Sequence, residues 1–153
     1  MLYEYEEYLA GKDGVKVSWD VFDRADPQRT IEHILPQASD TKLWREKFDR
    51  QQRRRFTHDI GNVCLTEDNS VYSNKCFSDK RGQPGQGRCY ANSNMFQERE
   101  LAQFDDWTEE SLRQRRDKLI RWYLRRWHLD DSDITDEMAA EIDEPVLVEV
   151  SAD

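Results

Sequence analysis

Nowhere in this chain does an apolar run approach the roughly 18 residues that a membrane-crossing helix requires. Met1 is followed by acids and tyrosines, not by the basic and then apolar opening of a secretory signal. Both absences point to a cytoplasmic protein with no membrane partner. Cysteine is scarce: Cys64, Cys76 and Cys89 cannot all pair with one another, and no two of them make a CxxC knuckle. Structural zinc sites bring their ligands in close pairs, so no structural zinc is expected. Reduced thiols, with Cys64 and Cys76 filling core space, are the better reading. There is no Gly-Lys-Ser or Gly-Lys-Thr phosphate loop, which excludes P-loop nucleotide hydrolysis from this stretch. Glycine is thin as well, and three of the six residues fall in RGQPGQGRC, Arg81 to Cys89, which reads as a flexible loop.

The net charge of −9 argues against a nucleic-acid partner until it is divided by position. Ten of the 32 acids and none of the 23 bases lie in residues 130–153, leaving 22 acids against 23 bases in the body of the chain. That acidic tail has too little apolar mass to fold alone and is expected to be disordered or loosely docked. Residues 1–129 then form one domain, because 37% hydrophobic and 36% charged content supports one polar-faced core and no second one. The bases cluster. Thr41 to Arg55 holds seven of them against two acids, and Trp107 to Trp127 holds seven against three. A charge run is usually a solvated face, and phosphate contact is the alternative reading of this one. Arg53, Arg54 and Arg55 are the candidate phosphate contacts.

Helical spacing of Leu2, Tyr5, Tyr8 and Leu9 predicts a first helix, ended by Gly11. A domain that begins inside a helix reads as part of something longer. Val15, Val17 and Trp19 alternate with polar residues as in a short strand, and Asp20 to Pro27 reads as a loop or a helical turn. Trp44 and Phe48 share one face of a helix in the basic insert. His58 reads as a structural loop histidine. Asn62 to Thr66 predicts a second strand, entered through Gly61, and Asn69 to Asp79 a helix capped by Asp68 or Asn69. Thr108 caps a long helix whose apolar stripe is Leu112, Leu119, Ile120, Tyr123, Leu124 and Trp127.

The chemistry concentrates in TIEHILPQ, Thr30 to Gln37, and GNVCLTEDNSVYSNKCFSDK, Gly61 to Lys80. The first ends a β-branched run with an acid and a histidine and then stops the strand at Pro36. Adjacent strand residues face opposite ways, so Glu32 and His33 share a pocket only if the strand kinks. Glu32-His33-Ile34-Leu35-Pro36-Gln37, then Gly61-Asn62, then Asn69 with Ser73-Asn74, Phe77 and Lys80, form an ordered set. Tyr90 with Ser93, and Trp107 with Leu112 and Arg115, close it.

From about Ile31 to Trp127 this set resembles the ββα-metal nucleases of the HNH class, and in particular the C-terminal HNH-like domain of GmrSD-type modification-dependent restriction enzymes, which include SspE-like phosphorothioate-sensing proteins. The resemblance implies an α+β fold, with a ββα-metal (HNH-like) core motif over 30–80 packed among several helices, the last of them over 107–127. It implies a DNA endonuclease acting as the effector of an anti-phage or modification-dependent restriction system. His33 would be the general base, since an imidazole that titrates near neutrality is fitted to take a proton from water. Glu32 and Asn69 would hold Mg2+ or Mn2+, hard cations that accept oxygen ligands and retain waters. The stretch before Asn69 is shorter than the family's, which leaves Asn74 as the alternative ligand. Asn62 would orient the His33 ring, and Lys80 or Arg81 would steady a flanking phosphate. One base and one metal serve one strand at a time, so a monomer should nick, and a double-strand cut needs a second subunit. The implied partners are DNA and an N-terminal nucleotide-hydrolysing sensor domain of the same protein. The rival functions are a catalytically inactive nucleic-acid-binding module and an interaction domain.

Overall fold

The first segment forms helix α1, Leu2–Lys12, which buries Tyr5, Glu6 and Ala10, while Tyr8 of the expected apolar spacing is 41% exposed. The helix runs through Gly11, and the turn falls at Asp13 and Gly14, where φ is 68°. In the computed structural model, residues 1–20 and 30–127 are described, and the loop expected up to Pro27 and the acidic tail lie wholly or largely outside them. The strand expected around Val15 to Trp19 does not form. Trp19 instead turns back on α1, its indole donating to Glu7 at 3.1 Å and its ring 5.0 Å from Tyr3.

Strands β1, Ile31–His33, and β2, Val63–Leu65, pair antiparallel with Glu32 opposite Cys64 and His33 opposite Val63. Ile34 N–H to Asn62 O and Thr66 N–H to Thr30 O, both 3.0 Å, extend the ladder by one bond at each end. The fold is α+β, mostly helical around this one small sheet.

Between the strands, the single helix suggested by Trp44 and Phe48 is two short ones: α2, Lys42–Lys47, and α3, Arg50–Phe56. Phe48 is extended between them, and Asp49 restarts the helix through a reciprocal capping box with Gln52. The break lets Trp44, Phe48 and Phe56 all reach the core. The helix expected over Asn69 to Asp79 is also divided, into a 3-10 turn at Asn69–Val71 and helix α4, Phe77–Arg81. Ser73, at φ 46°, is the interruption. A non-glycine residue in the left-handed region cannot continue a right-handed helix. Before that bend, Tyr72 turns inward, its ring 4.7 Å from Tyr90.

Helix α5, Phe96–Leu101, is held by α1: the Glu6 carboxylate accepts from the Phe96 and Gln97 amides at its first turn. A carboxylate there satisfies orphan donors and meets the positive end of the helix dipole. Helix α6, Glu109–Arg126, starts at the Thr108 cap. Its buried face is Leu112, Arg115, Arg116, Leu119, Trp122 and Tyr123, turned from the expected stripe so that Trp127 is 46% exposed. The first core cluster gathers Ile34, Leu35, Trp44, Phe48, Phe56, Cys64, Phe77, Tyr90, Trp107 and their neighbours behind the sheet. A second joins Tyr5 to Leu119, Trp122 and Tyr123. Among the described residues, no helix is long and apolar enough to cross a membrane.

Candidate active site

The three-residue strand β1 needs no kink to separate its acid from its histidine. Alternation turns Glu32 inward, 3% exposed, and leaves His33 half-buried on the other face. Glu32 and His33 therefore lie on opposite faces of the strand, with the carboxylate in the interior. Its Oε1 lies 2.6 Å from Lys80 Nζ and accepts from Tyr90 O–H at 3.0 Å. Lys80, 0% exposed, also donates to the carbonyls of His33 and Ile34 at 2.9 and 3.1 Å. In this arrangement Lys80 fastens the end of β1 to α4 and has no surface to offer a phosphate. Burial pushes the Glu32 carboxyl up and the Lys80 ammonium down, and their mutual attraction opposes both shifts.

Asn62 is also interior and makes four hydrogen bonds. Its Oδ1 accepts from Leu35 N–H at 2.8 Å and from the Trp107 indole at 3.1 Å, and its Nδ2 donates to Leu35 O and Thr57 O, both at 2.9 Å. None of these four bonds goes to the His33 ring. Instead Asn62 ties the chain just after His33 to the chain just before His58. Arg115, buried on α6, donates from one nitrogen to the carbonyls of Ile60, Gly61 and Val63 at 3.2, 2.7 and 2.9 Å. Gly61 has to be glycine here, because a Cβ would sit 2.6 Å from Leu112 O and 2.9 Å from Arg116 Cβ. The residues Gly61, Asn62, Tyr90, Trp107 and Arg115 thus form a frame for the strand ends.

The contact to the His33 ring comes from His58. His33 Nε2 and His58 Nδ1 are 3.2 Å apart, with the rings nearly perpendicular at 87°. Burial first, then the electrostatic influence of His58 and Lys80, lowers the His33 pKa to about 4. The imidazole is therefore neutral at physiological pH and able to accept a proton. A neighbouring anion such as a phosphate would raise its basicity.

Asn69 lies beside the same strand, its Nδ2 donating to Ile31 O at 2.9 Å, while Asn74 is exposed beyond the Ser73 bend. Arg81 Nε donates to Ala102 O at 3.1 Å and its guanidinium approaches Asp105. The three consecutive arginines have different surroundings. Arg53 turns inward to Phe48 O at 2.7 Å and Asp40 at 3.4 Å, Arg55 lies over the Phe56 ring, and Arg54 is exposed.

A family model described as GmrSD restriction endonucleases, C-terminal domain, matches residues 1–122. The chain belongs to that family. Membership gives it a restriction-endonuclease-type role with DNA as the implied substrate. The match takes in α1, which the motifs did not reach, and ends within α6. No curated protein and no solved structure was found to match the chain.

A resident divalent ion has to be judged against the donors this GmrSD C-terminal domain offers. Among the described residues no three His, Cys, Asp or Glu gather into a metal cage. Magnesium does not demand one, since it keeps several waters and takes one or two protein oxygens beside the substrate's phosphates. Asn69 and Asn74 suit that mode of binding. Glu32 does not, because its carboxylate is engaged by Lys80 and Tyr90.

The signal that could have found His58 was its position. It stands just before Gly61-Asn62, and Asn62 joins that segment to the one that follows His33. Only the joining amide shows that the two histidines meet.

Proposed function

We propose that this domain is the DNA-cutting effector of a modification-dependent restriction system, hydrolysing phosphodiester bonds with His33 as general base. The observation that carries the reading is the His33 imidazole, half-buried, neutral and braced at its ring nitrogen, at the end of a strand in a restriction endonuclease domain. In the reaction, neutral His33 takes a proton from the attacking water and so increases the negative charge on the oxygen that approaches phosphorus. Frame residues Asn62, Lys80 and Arg115 keep the strand end from drifting. Rigidity of that kind matters because small misplacements of a base cost large factors in rate.

The β1–β2–α4 order is read here as a ββα-metal, HNH-like core. Asn69, with Asn74 as alternative, would hold Mg2+ or Mn2+, which when bound would offset charge developing on the phosphate. A single base serves one strand, so the monomer nicks and a second subunit is needed for a double-strand cut. In the full-length protein an N-terminal nucleotide-hydrolysing sensor domain would decide when this cytoplasmic effector acts.

The second reading is a catalytically idle nucleic-acid-binding or interaction module, and one observation favours it: the acid of the Glu32-His33 pair is engaged in the interior. One experiment separates the two. Supercoiled plasmid is incubated with the purified chain and magnesium, beside His33→Ala and an EDTA control. Relaxation lost in both controls is the expected result. Equal relaxation by wild type and His33→Ala, with contaminating nuclease excluded, leaves the idle module.

A further inference from the structure

Two imidazoles that meet nitrogen to nitrogen must divide the roles of donor and acceptor between them. His33 Nε2 and His58 Nδ1 meet in this way at 3.2 Å, with ring centroids 5.1 Å apart. If His58 donated, His33 would carry its proton on Nδ1 and have its Nε2 lone pair occupied, leaving no lone pair for a water. If His33 donates, its Nδ1 is unprotonated and available. His58 is exposed, so its own Nε2–H can be satisfied by water.

We infer that His58 is the positioning residue for His33: its Nδ1 accepts the proton on His33 Nε2, and this fixes Nδ1 of His33 as the atom that takes the proton from water. The inference rests on the reading of His33 as the base. With His58 neutral and accepting at Nδ1, the Nε2–H bond of a His33 imidazolium to it is charge-assisted and stronger than that of the neutral ring.

The placement of His58 is built into the fold on both sides. Thr57 O is held by Asn62 Nδ2 at 2.9 Å. Asp59 accepts from Gly61 N–H at 2.7 Å and pairs with Arg116 at 3.6 Å. Asn62 also holds both backbone groups of Leu35, two residues after His33. One buried amide therefore sets the spacing between the two histidine-bearing segments, and the ring contact follows from it.

The test compares His58→Asn with His58→Leu, because an asparagine Oδ1 can accept where Nδ1 does and leucine cannot. Hydrogen-bond partners that orient a metal-bound histidine typically contribute about 10- to 100-fold in activity, and the partner of a histidine base is expected to fall in the same range. His58→Leu is expected to lose that much in kcat for plasmid nicking with KM unchanged, and His58→Asn to recover most of it. Imidazole nitrogen NMR of the wild-type chain should show His33 protonated at Nε2 and bare at Nδ1, with that preference lost in His58→Leu. The inference is overturned by a wild-type His33 protonated at Nδ1, by a folded His58→Leu with wild-type kcat, by His58→Asn as impaired as His58→Leu, or by a loss confined to KM. Undiminished nicking by His33→Ala would instead overturn the reading of His33 as base. The NMR result reports on the ring pair whether or not the chain cuts DNA.

Discussion

Replacing Glu32 by glutamine should destabilise the fold before it disturbs any metal. The carboxylate and the Lys80 ammonium are 2.6 Å apart, with side chains 4% and 0% exposed, so neither can turn to water. Removing one member of a buried ion pair typically costs about 3–5 kcal/mol, because the other charge remains. An upper bound follows from Lys80 itself: shedding its proton at pH 7, starting from an ordinary value of 10.5, costs at most about 5 kcal/mol at roughly 1.4 kcal/mol per pH unit. The substituted glutamine keeps the volume and can still accept from Tyr90, so nearly all the loss should be electrostatic. Urea unfolding followed by tryptophan fluorescence would measure it, since Trp44 and Trp107 are both buried in the main core. Adding Lys80→Met to Glu32→Gln should cost less than the sum of the single changes, by a coupling of about 1–3 kcal/mol. The reasoning fails if Glu32→Gln unfolds within about 0.5 kcal/mol of wild type, the range of ordinary surface substitutions. If such a variant also lost nicking and regained it in manganese, Glu32 would be a metal ligand after all.

Glu98 should give the fold a pH slope. Burial pushes its carboxyl up to about 7 from an ordinary 4.5, against the hydroxyls of Ser93, Thr66 and Tyr72. Between those values Glu98 holds more proton in the folded state than in the unfolded one, so its own contribution to stability falls as pH rises through the window, by on the order of 3 kcal/mol, while His33, lowered from 6.5 to about 4, contributes in the opposite sense over the adjoining window. Glu98→Gln should therefore gain stability relative to wild type between pH 4.5 and pH 8, by on the order of 3 kcal/mol, and unfolding midpoints with the same pH dependence in wild type and Glu98→Gln would refute it. Exposed Arg54, changed to alanine, should flatten the salt dependence of DNA binding by about one unit, while Arg53→Ala, whose guanidinium faces Phe48 O and Asp40, should lower stability instead. Identical salt slopes for wild type and Arg54→Ala would return that face to plain solvated surface. Asn69→Ala should weaken magnesium-supported nicking and respond to excess manganese, with Asn74→Ala close to wild type; the opposite pattern would transfer the ligand role to Asn74.

The family, the ordered motif and the main helices were all legible in the amino-acid order, because each is written in local pattern. Apolar spacing marked where α1 and α6 lie and Thr108 marked where α6 starts, and Glu32-His33, Gly61-Asn62 and Lys80 kept their order whatever the chain did between them. Alternation along β1 also required Glu32 and His33 to face opposite ways. Which face would be the interior was settled by distant residues, Lys80, 48 positions on, and Tyr90, 58 positions on. The same holds for the helix stripe, where Arg115 lies inside because three carbonyls of the Ile60–Val63 turn await its guanidinium, a need no periodicity records. Asn62 read as a ring-orienting residue and became a backbone clamp, since a buried amide takes all four of its partners from whatever surrounds it. His58 read as a loop residue, and 25 positions separate it from His33. Asn62 joins the two segments that carry them, and hydrogen bonds between distant parts of a chain leave no spacing by which a sequence could announce them.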